Sequence, residues 1–300
     1  MNNSYPHRWA AGLAGLILLV PLVGSAQDHV LPPAGKEKMA NAGIKIMARP
    51  KAWDDINKPL TAPVTAKNPL EVSLCTSYRS PFAYLGMDRY AALEQDYNLK
   101  VDVKYVFPIA IRDPEFFKKA SDYRYLYDPM DMERIGKFQE IPYHVDFSSN
   151  KTKTWRDPVV VGATGIEIAP KDKQIYVYPL YAVSTLMQSE HPDKNLAFAQ
   201  RMFRKIYDGT ASMTWPDEMD DVLDELGLDG KAIVKKAKKN EDKYIAIVLK
   251  NQEWCHASGH GGVPNAVFRG EPFWGQDRIT TLIWRMEQNG LTRRVRPPVQ

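Results

Sequence analysis

The sequence predicts an α/β fold in which a β-α-β unit and a β-β-α unit flank a long, mostly helical block. Three observations lead to this prediction. An apolar run ending in Cys75 precedes a helical pattern and then an alternating run. About 140 residues of mostly helical pattern follow, and two short strands joined by a tight turn then precede a last helix. The two ends of this layout therefore share one sheet.

The first unit begins with a strand at 70–75. Ser80 and Pro81 follow and are typical of a helix start, because serine caps the first amides and proline fits the first helical turn. We predict a helix over 82–97. Residues 99–106 alternate between apolar and polar and predict a second strand. Strand, helix and strand with short joints indicate that the two strands are parallel.

The block from 113 to 258 contains several helical patterns. Asp113-Pro114 and Asp128-Pro129 each indicate a helix start, so we predict two separate helices there, through 125 and through 140. A Gly/Pro/Ser-rich connector at 147–173 contains one stray strand at 159–161. Further helices are predicted at 178–189, 192–207, 216–226, 229–237 and 242–258.

The late motif carries a proline before a hairpin. Gly262 and Gly270 can take positive φ, as the turns require, and Val-Pro264 is a position where a cis peptide bond is expected. Asp277 lies at the start of the last helix, where an acidic side chain is favoured. The segment thus predicts two strands and a helix over 276–288.

This order of elements is the thioredoxin-like arrangement (β-α-β … β-β-α) with a large helical insertion. The predicted organisation is a signal peptide at 1–26, an irregular leader at 27–68, a thioredoxin-like domain at 69–112 and 259–290, a helical insertion at 113–258, and a basic, solvated tail at 291–300. Trp53 and Ile56 are expected to dock the leader onto the body.

The N-terminus indicates export. A positive segment precedes an apolar run over 9–23, and small residues follow, so cleavage is expected after Ala26. The run is shorter than the ~20 residues that span a bilayer and contains Pro21. The mature protein is then periplasmic or secreted, with no membrane segment. A net charge of +4 without a basic stripe argues against nucleic-acid binding.

The two cysteines, Cys75 and Cys255, are 180 positions apart and form no Cys-x-x-Cys motif. They can pair in an oxidising compartment, but the apolar run around Cys75 favours a buried, inert thiol. Cys255, His256 and His260 suggest metal ligands by spacing alone. The lack of a nearby acidic fourth ligand argues against that reading, and we expect no metal site.

Three segments together resemble a known family. They are 80–85 (Ser-Pro-Phe-Ala-Tyr-Leu), Tyr127 with Asp131 and Arg134, and 262–278, which runs from Gly-Val-Pro to Gln-Asp-Arg. This chain is similar in these segments to 2-hydroxychromene-2-carboxylate isomerase and the related kappa-class glutathione transferases, which have a DsbA-like thioredoxin fold. The resemblance covers about residues 70–288.

The resemblance implies a glutathione-dependent isomerase or transferase. Ser80 would stabilise the glutathione thiolate, since it stands where disulfide oxidoreductases of this fold carry their first cysteine. Val263 before Pro264 would pair with the cysteine backbone of glutathione. At the other end of the ligand, Gln276 and Asp277 would hold the γ-glutamyl group.

Two further contacts follow from the same resemblance. Kappa-class members also place an asparagine and a lysine on glutathione; the segment 107–112 has no matching asparagine, and Arg112 is the candidate cation. Tyr84 and Trp274 would line a pocket for a small, unsaturated, aromatic-derived substrate. A homodimer is a further expected partner state.

Two alternatives stay open at this point. The first is a non-catalytic DsbA-like protein that binds an extended peptide or partner beside Pro264, which the missing Cys-x-x-Cys motif favours. The second is a disulfide oxidoreductase that uses Cys75 and Cys255, which is disfavoured because neither cysteine lies at a helix N-terminus. Ser80 itself also has an ordinary explanation as a helix cap.

Overall fold

The structure is a computed structural model that describes residues 50–113, 116, 122–143, 160–162, 165–167, 177–207 and 215–295. The predicted signal peptide, most of the predicted leader and the end of the tail lie outside the described residues. The predicted helix start at Asp113-Pro114 also lies mostly outside them. No helix in the described ranges is long and apolar enough to cross a membrane.

The elements follow the predicted order. A 3-10 helix at Lys51–Asn57 precedes the sheet. The strands are β1 (Leu70–Thr76), β2 (Leu99–Tyr105), β3 (Val160–Gly162), β4 (Gly165–Glu167), β5 (Asn265–Phe268) and β6 (Glu271–Trp274). The helices are α1 (Pro81–Asp96), α2 (Ile109–Arg112), α3 (Asp122–Phe138), α4 (Val177–Glu190), α5 (Asn195–Tyr207), α6 (Trp215–Glu225), α7 (Gly230–Lys239), α8 (Glu241–Ala257) and α9 (Ile279–Glu287). The thioredoxin-like fold with a helical insertion is confirmed.

The main sheet has the strand order β2-β1-β5-β6. Strands β1 and β2 are parallel, from Leu70 opposite Leu99 to Thr76 opposite Tyr105, as predicted. Strand β5 runs antiparallel to β1, and Cys75 lies opposite Asn265. The end of β1 and the beginning of β5 are therefore neighbours. This register brings the segments after β1 and before β5 to one edge of the sheet.

The core lies between the sheet and the helices. Alternate residues of β2 are buried, which is the period-two pattern that the sequence showed, and the last three residues of β1 are all buried. The largest fully buried side chains are aromatic and come from both the sheet and the insertion; they include Tyr78, Tyr105, Tyr181, Phe203 and Tyr207. Sheet and insertion thus share one apolar core, and the two cannot be packed independently.

The leader docks as predicted. The Trp53 Nε1–H donates to the Ser258 carbonyl (2.8 Å), and Ile56 is buried. Gly270 has φ of 84°, and a Cβ there would lie 1.8 Å from the Ala52 carbonyl oxygen. The predicted hairpin turn at Arg269-Gly270 is therefore confirmed, and its glycine also leaves room for the leader.

Several predicted details need correction. The predicted break at Asp128-Pro129 is wrong, because α3 runs through Pro129. Its inner face is buried at Met132 and Gly136, and this packing outweighs the one hydrogen bond that a proline removes. The stray strand near 160 is present, and it pairs with a second strand, β4, that was not predicted.

Residues 292–294 of the predicted solvated tail are exposed, and they also bond to the body of the protein. The Asn98 amide donates to the Thr292 carbonyl (2.8 Å), and the Arg294 amide donates to the Asp96 carbonyl (2.8 Å). The Arg293 guanidinium lies 5.1 Å from the centre of the Tyr97 ring. These residues extend along the joint between α1 and β2 because that joint offers unpaired backbone groups.

The expectation of a buried, inert thiol is also wrong. Cys75 at the end of β1 and Cys255 near the end of α8 form a disulfide, with a Cα–Cα distance of 6.2 Å. Both are buried together with Val106, and the partly buried Val263 packs against them. The bond joins the sheet to the last helix of the insertion across 180 residues of sequence. Sequence separation hid the pairing, since only the fold brings the two segments together.

We expect the disulfide to stabilise the fold strongly. Closing so long a loop restricts the unfolded chain, so Cys75→Ala/Cys255→Ala should lower the free energy of unfolding by about 2–5 kcal/mol. Urea denaturation monitored by circular dichroism measures this change. The wild type treated with a phosphine reductant serves as the control and should fall to the same value. Two titratable thiols in unfolded, unreduced wild type would contradict the pairing.

Candidate functional site

The site begins at the N-terminus of α1. Ser80 caps this helix, with its Oγ accepting a hydrogen bond from the Ala83 amide (3.3 Å). Pro81 occupies the first helical position, as its fixed φ favours. The first-turn amides and the helix dipole, equivalent to about half a positive charge, make this end favourable for an anion.

The second wall of the site is the loop 260–264, which we call the cis-proline loop. The Val263-Pro264 peptide bond is cis, as predicted. Ser80 Oγ donates to the Val263 carbonyl at 3.3 Å. The two segments that the sequence singled out are therefore in direct contact, although no local pattern connects them.

Side chains from other elements hold the cis-proline loop residue by residue. Arg112 Nη1 donates to the Gly261 carbonyl (2.7 Å), and its Nε donates to the Phe107 carbonyl (2.6 Å). The Gly262 amide donates to His260 Nδ1 (2.9 Å). Beneath the loop, Val263 packs on the buried disulfide. The loop is thus fixed by Arg112 of α2, by the disulfide that reaches α8, and from within.

Gly262 is required by close packing. A Cβ on this residue would lie 2.5 Å from Trp274 Nε1 and 2.7 Å from His260 Cε1. The His260 ring stacks on Trp274, with 4.0 Å between ring centroids and 22° between planes. Asn265 Nδ2 donates to the His260 carbonyl (3.2 Å). His260, Gly262 and Trp274 therefore form one packed unit beside Pro264.

Partial burial shifts the pKa of two site residues, His260 and Arg112. Burial lowers the pKa of His260 below its usual value. Because Nδ1 accepts the bond from the Gly262 amide, the neutral ring carries its proton on Nε2. Burial also lowers the pKa of Arg112, opposed by Tyr181 and Asp113. Arginine titrates so far above neutral pH that Arg112 keeps its positive charge.

The last helix begins beside α1. Gln276 is buried, and its Oε1 accepts from Gln139 Nε2 (3.2 Å) and from Arg89 Nη1 (3.4 Å). Arg89 Nη1 also donates to the Gln276 carbonyl (3.0 Å). Asp277 pairs with Arg278 (3.0 Å), and both side chains are more than half exposed. The buried glutamine thus anchors the turn, and the aspartate points to solvent.

Comparisons with known proteins bear on the fold. A family model, that of the DSBA-like thioredoxin domain, matches residues 71–286. The chain belongs to this family. The resemblance seen in the sequence is confirmed at this level. No curated protein matches the sequence.

The chain is also similar to solved structures, and one of the following three has a TM-score above 0.5. A structure of 2-hydroxychromene-2-carboxylate isomerase matches with a TM-score of 0.53 and 18% identity, over 73% of this chain and 95% of that one. A probable DsbA oxidoreductase from Streptomyces coelicolor matches with a TM-score of 0.48 and 12% identity, over 77% and 93%. The cytosolic disulfide reductase DsbM from Pseudomonas aeruginosa matches with a TM-score of 0.48 and 15% identity, over 73% and 100%.

The structure separates the predicted site residues into groups. Ser80, Val263, Pro264 and Arg112 meet around the cis-proline loop. The side chain of Gln276 is occupied by Gln139 and Arg89, which disfavours the direct ligand contact predicted for it. At the predicted substrate pocket, Trp274 is 53% exposed beside the loop.

Tyr84 lies elsewhere. It is 2% exposed, stacks on Tyr207 at 4.8 Å between ring centroids, and donates its hydroxyl hydrogen to the Pro142 carbonyl. The predicted role of Tyr84 in a substrate pocket is therefore not supported, because the ring belongs to the shared core. The helical pattern of α1 alone could not show whether Tyr84 faces the core or a substrate pocket.

Sequence reasoning missed two features of the site. His260 was considered only as a metal ligand. It lies four residues before Pro264, and it orders the cis-proline loop by accepting a hydrogen bond from the Gly262 amide. Cys255, considered with it, is bonded to Cys75 and offers no thiolate. The same bond disfavours the cysteine oxidoreductase, since both sulfurs are buried and neither cysteine begins a helix. The His-Gly-Gly spacing before the proline is the signal that could have indicated a loop contact.

The pH dependence of the fold tests the role of His260. Its pKa is lowered in the folded state, so the unfolded chain binds more protons as the pH falls below about 6.5. Stability from this group is present above that pH and is lost as acid protonates Nδ1 and breaks the Gly262 bond. The melting temperature should therefore fall between pH 7 and pH 5.

His260→Asn is the matched variant for this experiment. Its side-chain oxygen can occupy the acceptor position of Nδ1 and does not titrate. The fall in melting temperature between pH 7 and pH 5 should be smaller in His260→Asn than in the wild type. An equal fall in the two proteins would assign the pH dependence to other groups.

Proposed function

We propose that this chain is an exported, glutathione-dependent isomerase or transferase in which Ser80 stabilises the thiolate of glutathione. One observation carries the proposal. Ser80 Oγ lies at the N-terminus of α1 and 3.3 Å from the carbonyl of Val263, the residue before the cis proline. A thiol ligand seated on this loop would have its sulfur beside the serine hydroxyl.

The chemistry of serine favours a borrowed thiol. Disulfide exchange requires a thiolate and a leaving thiol, and a hydroxyl supplies neither. A hydroxyl can donate a hydrogen bond to a thiolate, and the Ser80 hydrogen that now points to Val263 can rotate toward one. With the helix dipole, this donor would lower the pKa of a bound thiol.

The backbone of the cis-proline loop supports the rest of the ligand. No hydrogen bond of the Val263 amide is found among the described residues. Its amide and carbonyl can therefore pair with the cysteine residue of glutathione as one strand pairs with another. The contacts to Gly261 and Gly262 keep this short backbone edge ordered before the ligand arrives, which lowers the entropy cost of binding.

The charged ends of glutathione match two residues. Asp277 is largely exposed, so it can exchange its surface pair with Arg278 for the ammonium of the γ-glutamyl group. Arg112 uses Nε and Nη1 to hold the loop, and its remaining N–H groups can receive a carboxylate. The donor set therefore fits a zwitterionic tripeptide.

The reaction class follows from the bound thiol. Glutathione would supply a nucleophilic thiolate that adds to an unsaturated carbon, lets the former double bond rotate, and leaves again as the thiolate. Ser80 would hold the negative charge on sulfur before addition and after departure. Trp274, half exposed beside the loop, would present an aromatic surface to a small aromatic-derived substrate.

The disulfide supports export. Disulfides form and persist in oxidising compartments and are rare in the cytosol. The buried Cys75–Cys255 bond and the predicted signal segment at 1–26 therefore agree on a periplasmic or extracellular location.

Calorimetric titration with glutathione tests the proposal. The wild type should bind it at millimolar concentrations or below. Asp277→Ala should weaken binding by about tenfold, the effect of one charge-assisted hydrogen bond. Arg278→Ala is the matched control, because it removes the surface partner of Asp277 and should leave binding equal or tighter. Absence of binding at millimolar glutathione would contradict the proposal.

The role of Ser80 has its own readout. In Ser80→Ala the bound thiol should have a higher pKa than in the wild type, measured by the absorbance of the thiolate near 240 nm as the pH is raised. S-methylglutathione should bind both proteins about equally, because it has no thiol to ionise. An unchanged thiol pKa in Ser80→Ala would restrict Ser80 to helix capping.

A peptide-binding protein is the second candidate. The Val263 amide, which has no hydrogen bond among the described residues, would serve an extended peptide as well as glutathione, and the absence of Cys-x-x-Cys agrees with a non-redox role. Binding of an extended peptide that survives Ser80→Ala and is not displaced by glutathione would favour this candidate.

A further inference from the structure

The turn 77–80, which connects β1 to α1 and ends at the cap Ser80, is bonded to the helical insertion. The Tyr78 amide donates to Tyr181 Oη (3.1 Å), and Tyr207 Oη donates to the Tyr78 carbonyl (2.9 Å). Tyr181 lies on α4 and Tyr207 ends α5. Both polar groups of one residue in the turn are thus bonded to hydroxyls from the insertion.

A second path leads from the insertion to Ser80 itself. Tyr181 Oη and Ser77 Oγ are 2.8 Å apart and share a hydrogen bond. The Ser80 amide donates to the Ser77 carbonyl (2.9 Å), which closes the turn. Because Tyr181 Oη accepts from the Tyr78 amide, its own hydrogen is available for Ser77 Oγ. The Tyr181 phenol therefore makes two contacts with the turn, and the Ser80–Ser77 bond links one of them to Ser80.

The contacts are shielded from water. Ser77, Tyr78, Tyr181 and Tyr207 are each at most 1% exposed. The Tyr78 ring lies 4.8 Å from Phe203 and 5.7 Å from Tyr181 between ring centroids. A buried group that loses its hydrogen-bond partner finds no water to replace it. Breaking any of these contacts therefore costs free energy, and the turn keeps its geometry.

Burial also keeps the Tyr181 phenol neutral. It raises the pKa of Tyr181 to about 12, although the bond from the Tyr78 amide opposes the shift. The hydroxyl therefore keeps its hydrogen throughout the physiological pH range. The contacts act as fixed, uncharged dipoles rather than as a proton path.

We infer that Tyr181 and Tyr207 are positioning residues of the thiol site, through which the helical insertion sets where Ser80 stands against the cis-proline loop. The inference rests on the proposed function for the ligand, but the positioning itself is a property of the unliganded protein. A serine hydroxyl stabilises a thiolate only within hydrogen-bond distance, so a small displacement of the turn would weaken the contact.

The test uses Tyr181→Phe and Tyr207→Phe in the full chain. Phenylalanine keeps the ring and its packing and removes only the hydroxyl. Tyr244→Phe is the matched control, because Tyr244 is another buried tyrosine of the insertion and its hydroxyl bonds to Glu190 Oε1 (2.8 Å), not to the turn. Ser77→Ala is a milder variant that removes only the Ser77 side-chain contact with Tyr181.

Two measurements are made on each protein. Hydrogen exchange of the amides at 78–83, without ligand, should become at least about fivefold faster in Tyr181→Phe and Tyr207→Phe, as expected for the loss of one hydrogen bond of about 1 kcal/mol. With glutathione bound, the thiol pKa should rise in the same two variants. Ser77→Ala should change both in the same direction by less, and Tyr244→Phe should change neither.

The outcomes separate the inference from the proposed function. Unchanged exchange at 78–83 in both turn variants, or an equal change in Tyr244→Phe, overturns the inference. Faster exchange confined to the turn variants supports positioning even if the wild type binds no glutathione. Absence of glutathione binding would contradict only the proposed function. Faster exchange with an unchanged thiol pKa in a protein that binds glutathione overturns the link to the site.

Discussion

The hydrogen bond between Ser80 Oγ and the Val263 carbonyl joins two segments 183 residues apart, and the candidate site depends on it. The sheet makes this contact possible, because β5 runs antiparallel to β1 and starts where β1 ends. The disulfide reinforces the same place by joining Cys75 to Cys255, from which the two segments emerge. The site is therefore built on the most constrained edge of the sheet.

The helical insertion contributes to this constraint rather than only surrounding it. Gln139 of the insertion holds the turn before the last helix, while Arg112, just before the insertion, holds the cis-proline loop. The phenols of Tyr181 and Tyr207 hold the turn before Ser80. Each bond involves a backbone or amide group that would be costly to leave unpaired when buried. Insertion and sheet thus fold as one core, and a change in one is transmitted to the other.

Much of the fold could be predicted because its signals are local. An apolar run predicted β1, alternation predicted β2, Ser80-Pro81 predicted the start of α1, and Arg269-Gly270 predicted the hairpin turn. Prediction failed where packing decided against a local rule. Pro129 did not break its helix, since the inner face of α3 is buried, and residues 292–294, although exposed, bond to backbone groups at 96–98.

The sequence by itself determined the order of the elements, the serine in place of a cysteine at Ser80, and the proline at the cis position. These features depend on residue type and on neighbours within a few positions. Only the tertiary structure decided that Cys75 pairs with Cys255, that Tyr84 belongs to the core, and that His260 orders the loop. The physical reason is that these contacts join residues distant in sequence, or depend on which face of an element is covered, and no local pattern records either.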